Sequence, residues 1–223
     1  MPSKLEVLLK HLSDSEAYHL EAGLQMAKAA GGALYPLDLL AQAVLNRSTN
    51  LIPAFVYLIE SQNFIAAAPL LRLQIDNCIR FHGAWLVNDP HAFASAVLRG
   101  DHIRRLKDKN GNPMTDRSLL ESFAKKFPWV TKVYERTSGY IHLSDAHVGN
   151  LFVGSSATEE GTAEFKWGRG DNFPDASLYM EAVEAFIAAT DAMFYYITGW
   201  VKTKQGERGE AKREPTWCSQ PQS

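Results

Sequence analysis

Apolar residues recur at helical spacing through most of this 223-residue chain. The clearest case is FIAAAPLLRLQIDNCIRFHGAWLVND, residues 64–89, in which apolar side chains return every three or four positions. Similar stripes run through residues 37–60 and 176–202. Segments of this length and period predict amphipathic helices, each of which must bury one face against another helix. The pattern therefore predicts an all-α, up-and-down bundle of five to seven helices.

Turn-forming and capping residues set the predicted helix boundaries. Ser13 and Glu16 have the spacing of a capping box, so a helix is predicted from Ser13 to the glycine pair at 31–32. Pro53 is expected to kink or divide the second helix. Pro69 is placed in the first turn of the third helix, where its missing N–H costs least.

Two segments depart from the helical pattern. Residues 150–174 contain several glycines and the short β-compatible runs LFVG and AEFKW. They predict a short β-hairpin or an ordered loop inserted before the last helix. The polar residues 204–223 predict a disordered tail that follows a single helical-bundle domain of residues 1–203.

The overall composition excludes several classes of protein. The chain is 46% hydrophobic and 22% charged, with a net charge of −2, so no global charge favours nucleic acid or a membrane surface. No apolar run reaches the roughly 18 residues of a membrane-spanning helix, and the start lacks an apolar signal core. The only two cysteines, Cys78 and Cys218, lie in an apolar helical run and a polar tail, which does not suggest a disulfide. These features predict a cytoplasmic protein.

Three charged residues share one face of the third predicted helix. Arg72, Asp76 and Arg80 are spaced at i, i+4 and i+8, so Asp76 can bridge both arginines. One interpretation is a solvated or interfacial ladder of ion pairs. The other is a polar wall of a cleft that orients groups on a neighbouring helix.

A basic zone covers residues 99–136. It holds ten lysines and arginines against five aspartates and glutamates, a local excess of +5 in a chain of net charge −2. Such an excess attracts phosphates, although a solvated helical face explains it equally well.

The segment YERTSGYIHLSDAH, residues 134–147, concentrates polar side chains. Arg136 and His142 lie about 9 Å apart along an ideal helix axis and about 120° apart around it. They are therefore not natural partners on a helix surface. They can meet if Gly139 distorts the helix, or if a two-fold dimer brings two copies together.

Two pieces of the sequence carry a resemblance to a known family. RTSGYIH resembles the R-x(4–6)-H motif of HEPN-domain proteins, which are helical bundles, and LLRLQIDNCIRF resembles a helix of uncharacterised bacterial HEPN-like proteins. The resemblance implies a HEPN-like bundle. Many HEPN proteins are metal-independent endoribonucleases that act as dimers, often in toxin–antitoxin or phage-defence systems, and others only bind nucleotides or partners.

Transferred to this chain, the motif assigns catalytic roles to two residues. Arg136 would stabilise the phosphate and His142 would act as acid or base, while the 2′-OH of the RNA attacks the phosphorus. Ser138 or Tyr140 could donate a further hydrogen bond. The expected supporting residues on the third helix are Arg72, Asp76 and Arg80. The resemblance thus implies a homodimeric, metal-independent ribonuclease or an RNA-binding relative without cofactors.

Two alternatives remain open from the sequence. The first is a non-enzymatic helical module whose polar faces hold a dimer together or bind a small phosphorylated ligand. The second is a metal-dependent enzyme that uses His142, Asp145 and His147, whose types suit zinc or iron. The two histidines do not have the i, i+4 spacing that a helix presents to one metal, so no metal site is predicted.

Overall fold

The structure is a computed structural model that describes residues 2–151, 164–172 and 175–206. In this part of the chain it contains eight α-helices and no strand, which confirms the predicted all-α class. The helices are α1 (Lys4–Lys28), α2 (Pro36–Glu60), α3 (Phe64–His82), α4 (Pro90–Leu98), α5 (Asp116–Ala124), α6 (Trp129–Ile141), α7 (Asp145–Gly149) and α8 (Ala176–Lys204).

The four long helices α1, α2, α3 and α8 form the main bundle. Each packs against two neighbours, α1 against α2 and α8, and α3 against α2 and α8. The rings of Phe55 and Phe186 meet in the core with centroids 4.5 Å apart. Helix α3 also carries α5 and α6 on its outer side, which explains why apolar residues occur around most of its circumference. None of the helices in the described ranges is long and apolar enough to cross a membrane.

Helix α1 begins earlier than the sequence pattern predicted. Its capping box is formed by Ser3 and Glu6: the Ser3 hydroxyl accepts from the Glu6 N–H at 3.2 Å, and the Glu6 carboxylate accepts from the Ser3 N–H at 2.6 Å. The predicted start at Ser13 is therefore wrong. Leu9 and Leu12 are buried in the core, so the apolar face of the helix extends a full ten residues further towards the N-terminus.

Pro53 and Pro69 both lie inside helices. Pro53 does not divide α2, which continues to Glu60. Pro69 lies in the second turn of α3 and not in the first, because that helix starts at Phe64 with Asn63 as its cap. The Asn63 side chain accepts from the Ala66 N–H at 3.3 Å.

The predicted hairpin falls largely outside the described part of the chain. Residues 152–163 and 173–174 are not described, and the described residues of the segment, 150–151 and 164–172, contain no strand. The β-hairpin prediction is therefore not confirmed.

One residue of this segment attaches it to the bundle. The Asp171 carboxylate accepts a hydrogen bond from the Tyr179 hydroxyl at 2.6 Å and from the Phe64 N–H at 2.9 Å. It therefore joins the starts of α3 and α8.

The end of α8 is buried where the sequence predicted the start of a polar tail. The Lys204 ammonium donates to the Asp38 carboxylate and to the Met26 carbonyl, both at 2.8 Å, and the side chains of the ion pair are each 1% exposed. Lys204 is thus the last residue of α8 and packs within the helical bundle. Residues 207–223 of the predicted tail lie outside the described part of the chain.

Candidate functional site

A cleft of about 450 Å³ opens between α3, α6 and α8. Helix α6 packs across α3, and the first half of α8 forms the opposite wall. The side chains that form its apolar surface are Phe64, Leu71, Val133, Tyr140, Leu178 and Ala182. Four charged side chains also line it, namely Lys132, Arg136, Glu181 and Glu184.

Helical spacing on α6 produces the apolar wall. Val133, Thr137 and Tyr140 recur at i, i+4 and i+7, which places them on one face. The Thr137 hydroxyl donates to the Val133 carbonyl at 2.7 Å, so its polar atom is satisfied within the helix. The Tyr140 ring meets the Phe64 ring edge to face with centroids 5.1 Å apart. Burial raises the pKa of the Tyr140 phenol, so it stays neutral at physiological pH.

The charges at the mouth of the cleft largely cancel. Arg136 Nη1 donates to Glu181 Oε2 at 2.7 Å, and Lys4 Nζ pairs with Glu184 Oε1 at 2.9 Å. Both pairs are half-exposed or more, and pairs of this kind contribute about 0–1 kcal/mol. Lys132 is exposed and makes no ion pair or hydrogen bond within the part of the chain that the structure describes.

The structure does not bring Arg136 and His142 into one cleft within a single chain. Arg136 lines the cleft, whereas His142 is not among the lining residues. His142 follows the last residue of α6 in an extended conformation, with φ −112° and ψ 150°, and its side chain is exposed. Gly139 does not distort the helix, which continues to Ile141. The distortion by which the two residues could have met is therefore absent.

The two predicted supporting residues of this motif have different environments. The Ser138 hydroxyl donates to the Tyr134 carbonyl at 2.7 Å, which occupies its hydrogen atom within the helix. Tyr140 lines the cleft one helical turn, at i+4, from Arg136. Of the four motif residues, only Arg136 and Tyr140 thus share a surface.

The charged residues of α3 form a different network from the predicted one. Asp76 accepts from Arg80 Nε at 2.5 Å, as expected, but its second partner is Arg47 of α2, whose Nη1 lies 3.2 Å away. Arg72 instead lies over the Tyr134 ring, with its guanidinium carbon 3.5 Å from the centroid. The prediction that Asp76 bridges Arg72 and Arg80 is therefore wrong for Arg72, because α6 offers that side chain an aromatic face.

His147 has a local structural partner. Its Nδ1 accepts from the Ser144 N–H at 3.2 Å, and its ring lies 6.0 Å from that of Tyr140. Within the described ranges, no group of three or more histidine, cysteine, aspartate or glutamate side chains could hold a metal ion. The alternative metal interpretation of His142, Asp145 and His147 gains no support from the geometry.

The α8 side of the cleft was missed by the sequence analysis. Glu181 pairs with Arg136, and the small side chains of Ala182 and Ala185 leave the space that the cleft occupies. No local signal distinguished these two residues, because α8 also contains Ala188, Ala189 and Ala192.

In comparisons with known proteins, no family model, curated protein or solved structure matches the chain significantly.

Proposed function

We propose that this protein is a non-enzymatic ligand-binding module that holds a small amphipathic molecule in the cleft between α3, α6 and α8. The observation that carries the proposal is the size and lining of the cleft. Its volume of about 450 Å³ falls within the roughly 300–1,000 Å³ of small-molecule sites. Its surface is mainly aliphatic and aromatic, with charged groups confined to the mouth.

The lining determines the body of the ligand. Leu71, Val133 and Leu178 present aliphatic surface, and Phe64 and Tyr140 present aromatic edges. Removing apolar ligand surface from water is worth about 25 cal/mol per Å². An apolar chain or ring system of modest size therefore fits this lining better than a sugar or a bare nucleotide.

The mouth of the cleft determines the head group of the ligand. Both acidic side chains of the mouth are already paired, Glu181 with Arg136 and Glu184 with Lys4. Lys132 remains as a cation that lacks a partner among the described residues. A single anionic head, such as a carboxylate or sulfonate, would be neutralised there while the apolar body occupies the cleft.

Fluorescence of 8-anilinonaphthalene-1-sulfonate, an apolar ring system with one anionic head, tests this proposal. We expect saturable enhancement in the folded protein that decanoate reverses by competition. Ala185→Phe fills the cleft and should abolish the enhancement. The matched control Ala188→Phe changes a partly exposed alanine of α8 that does not line the cleft, and it should bind like the unaltered protein. Equal binding by both variants would refute the assignment, and thermal melts of each exclude dye binding to partly unfolded protein.

A second candidate function is that of a HEPN-like, homodimeric ribonuclease, and one observation favours it. His142 is exposed and makes no hydrogen bond within the described part of the chain. Exposed apolar side chains surround it in sequence: Leu143 is 89% exposed, and Ile141 and Val148 are about half exposed. A second copy of the chain could cover this surface and bring His142 of each copy towards the cationic face of the other.

RNA cleavage in the presence of EDTA tests the second candidate. We expect cleavage that His142→Ala abolishes and that the matched control His102→Ala, an exposed histidine elsewhere, leaves unchanged. Leu143→Asp should convert the dimer to a monomer in light scattering. Unaltered protein that cleaves no RNA, or a monomer at every concentration, would contradict it.

A further inference from the structure

A cluster of five charged side chains, here called the arginine cluster, lies on the α3 surface outside the cleft. Its members are Arg47, Arg72, Asp76, Arg80 and Asp116. Three cations face two anions, which leaves a net charge of +1. Neither Arg72 nor the Tyr134 ring beneath it lines the cleft, so this surface is independent of the proposed function.

Both aspartates of the cluster are already engaged by other arginines. Asp76 accepts from Arg80 Nε at 2.5 Å and from Arg47 Nη1 at 3.2 Å. Asp116 accepts from Arg80 Nη2 at 2.8 Å. Arg47 donates in addition to Asn77 at 3.0 Å. The positive charge left over therefore belongs to Arg72.

The guanidinium of Arg72 is held against an aromatic ring and has no hydrogen-bond acceptor among the described residues. Its carbon lies 3.5 Å from the centroid of the Tyr134 ring, so one face is covered. Among residues 2–151, 164–172 and 175–206, no group accepts a hydrogen bond from it. Stacking leaves the N–H groups free, because they lie in the plane of the guanidinium and point away from its faces.

The surroundings make an anion the natural partner of Arg72. The side chain is partly buried, and burial is the main cause that lowers its pKa, with the charge of Arg80 acting in the same direction. The Tyr134, Asp76 and Asp116 side chains act in the opposite direction but do not cancel the effect of burial. A partly desolvated cation without an acceptor is unfavourable, and an oxyanion that accepts from its edge offsets this cost. The cluster also adjoins the basic zone of residues 99–136, whose excess of +5 raises the local concentration of polyanions.

We infer that the arginine cluster binds a phosphate group, with the in-plane N–H groups of Arg72 as its principal donors. A planar guanidinium can donate two parallel hydrogen bonds to two phosphate oxygens, which a lysine cannot do. Tyr134 holds that guanidinium in place, and Arg80 adds positive charge beside it. The phosphate belongs either to the free ion or to a nucleoside monophosphate.

Calorimetric titration of the full chain at constant ionic strength distinguishes these sources. The probes are inorganic phosphate and 5′-AMP. We expect saturable binding of at least one probe, which Arg72→Gln weakens by at least about tenfold and Arg72→Lys by a smaller factor, since lysine keeps the charge but loses the planar fork. The matched control Arg99→Gln removes an exposed arginine that is also near an aspartate and should leave the affinity unchanged.

The affinities for 5′-AMP and for inorganic phosphate together identify the source of the phosphate group. Tighter binding of 5′-AMP than of phosphate identifies a nucleotide as the source, and equal binding identifies the phosphate group alone; either supports the inference. The inference is overturned if neither probe saturates, or if Arg72→Gln binds as the unaltered protein does. Since Arg72 donates no hydrogen bond in the described structure, its variants should fold, which circular dichroism checks. Tyr134→Leu provides a second variant, in which Arg72 is retained but loses its support and binding should weaken.

Discussion

The buried ion pair between α2 and the end of α8 predicts a large stability loss when one partner is removed. In Lys204→Met, the Asp38 carboxylate keeps two donors, Trp200 Nε1 at 2.6 Å and the Tyr35 N–H at 2.8 Å, but loses the cation that pairs with it. Both charged side chains are 1% exposed, so solvent does not screen the change. Breaking a buried pair in this way costs about 3–5 kcal/mol.

Proton uptake sets an upper limit on this loss. An unpaired buried carboxylate can become neutral, and protonating a carboxyl group that is ionised in water costs about 4 kcal/mol at pH 7. We therefore expect the free energy of unfolding in urea to fall by about 3–4 kcal/mol in Lys204→Met at pH 7. Such a loss is a large part of the total stability of an ordinary domain.

Two further variants make the measurement decisive. Lys202→Met changes a less buried lysine of the same helical turn and should lose less than about 0.5 kcal/mol. The double variant Asp38→Asn, Lys204→Met removes both charges and should be more stable than Lys204→Met alone. A loss below about 1 kcal/mol in Lys204→Met would refute the burial of this pair.

Three other predictions concern buried polar groups. Burial lowers the pKa of His82 to about 4, against about 6.5 when unfolded, so the folded protein binds fewer protons between these values. The free energy of unfolding should therefore decline by up to about 3 kcal/mol as the pH falls from about 6.5 to about 4. In urea titrations at several pH values, His82→Gln should lack this part of the pH dependence. Burial raises the pKa of the Cys78 thiol. In Cys218→Ser, which removes the other cysteine, Cys78 should react with a thiol reagent only after unfolding. Rapid reaction of the native protein would contradict this. Gln74→Leu should lose about 2 kcal/mol in urea unfolding because it leaves buried partners unsatisfied, whereas exposed Gln25→Leu should lose almost nothing.

The helices themselves were readily predicted from the sequence because their apolar stripes are long. Helix α2 begins within one residue of the predicted start, and α8 ends within two of the predicted end. The start of α1 was not predictable in the same way. Ser3 with Glu6 and Ser13 with Glu16 both satisfy the capping pattern, and only the burial of the intervening leucines in the assembled core decides between them.

Contacts between residues that are distant in the sequence were the main feature of the structure that could not be predicted. Asp76 pairs with Arg47, 29 residues away, while local spacing favoured Arg72. Lys204 resembles a tail residue until Asp38, 166 residues earlier, is placed beside it. The cleft depends on Ala182 facing α6, and no local pattern indicates which faces of two helices will be opposed.

Methyl NMR of the protein titrated with decanoate shows where an amphipathic anion binds, and so tests whether the cleft is the ligand site. We expect saturable shifts of the methyl signals of Leu71, Val133 and Leu178, which line the cleft. The signals of Leu9 and Leu12, which are buried in α1 and do not line the cleft, should not move. Shifts confined to those two residues, or the absence of saturable shifts at the three cleft residues, would contradict the assignment of the cleft as the ligand site.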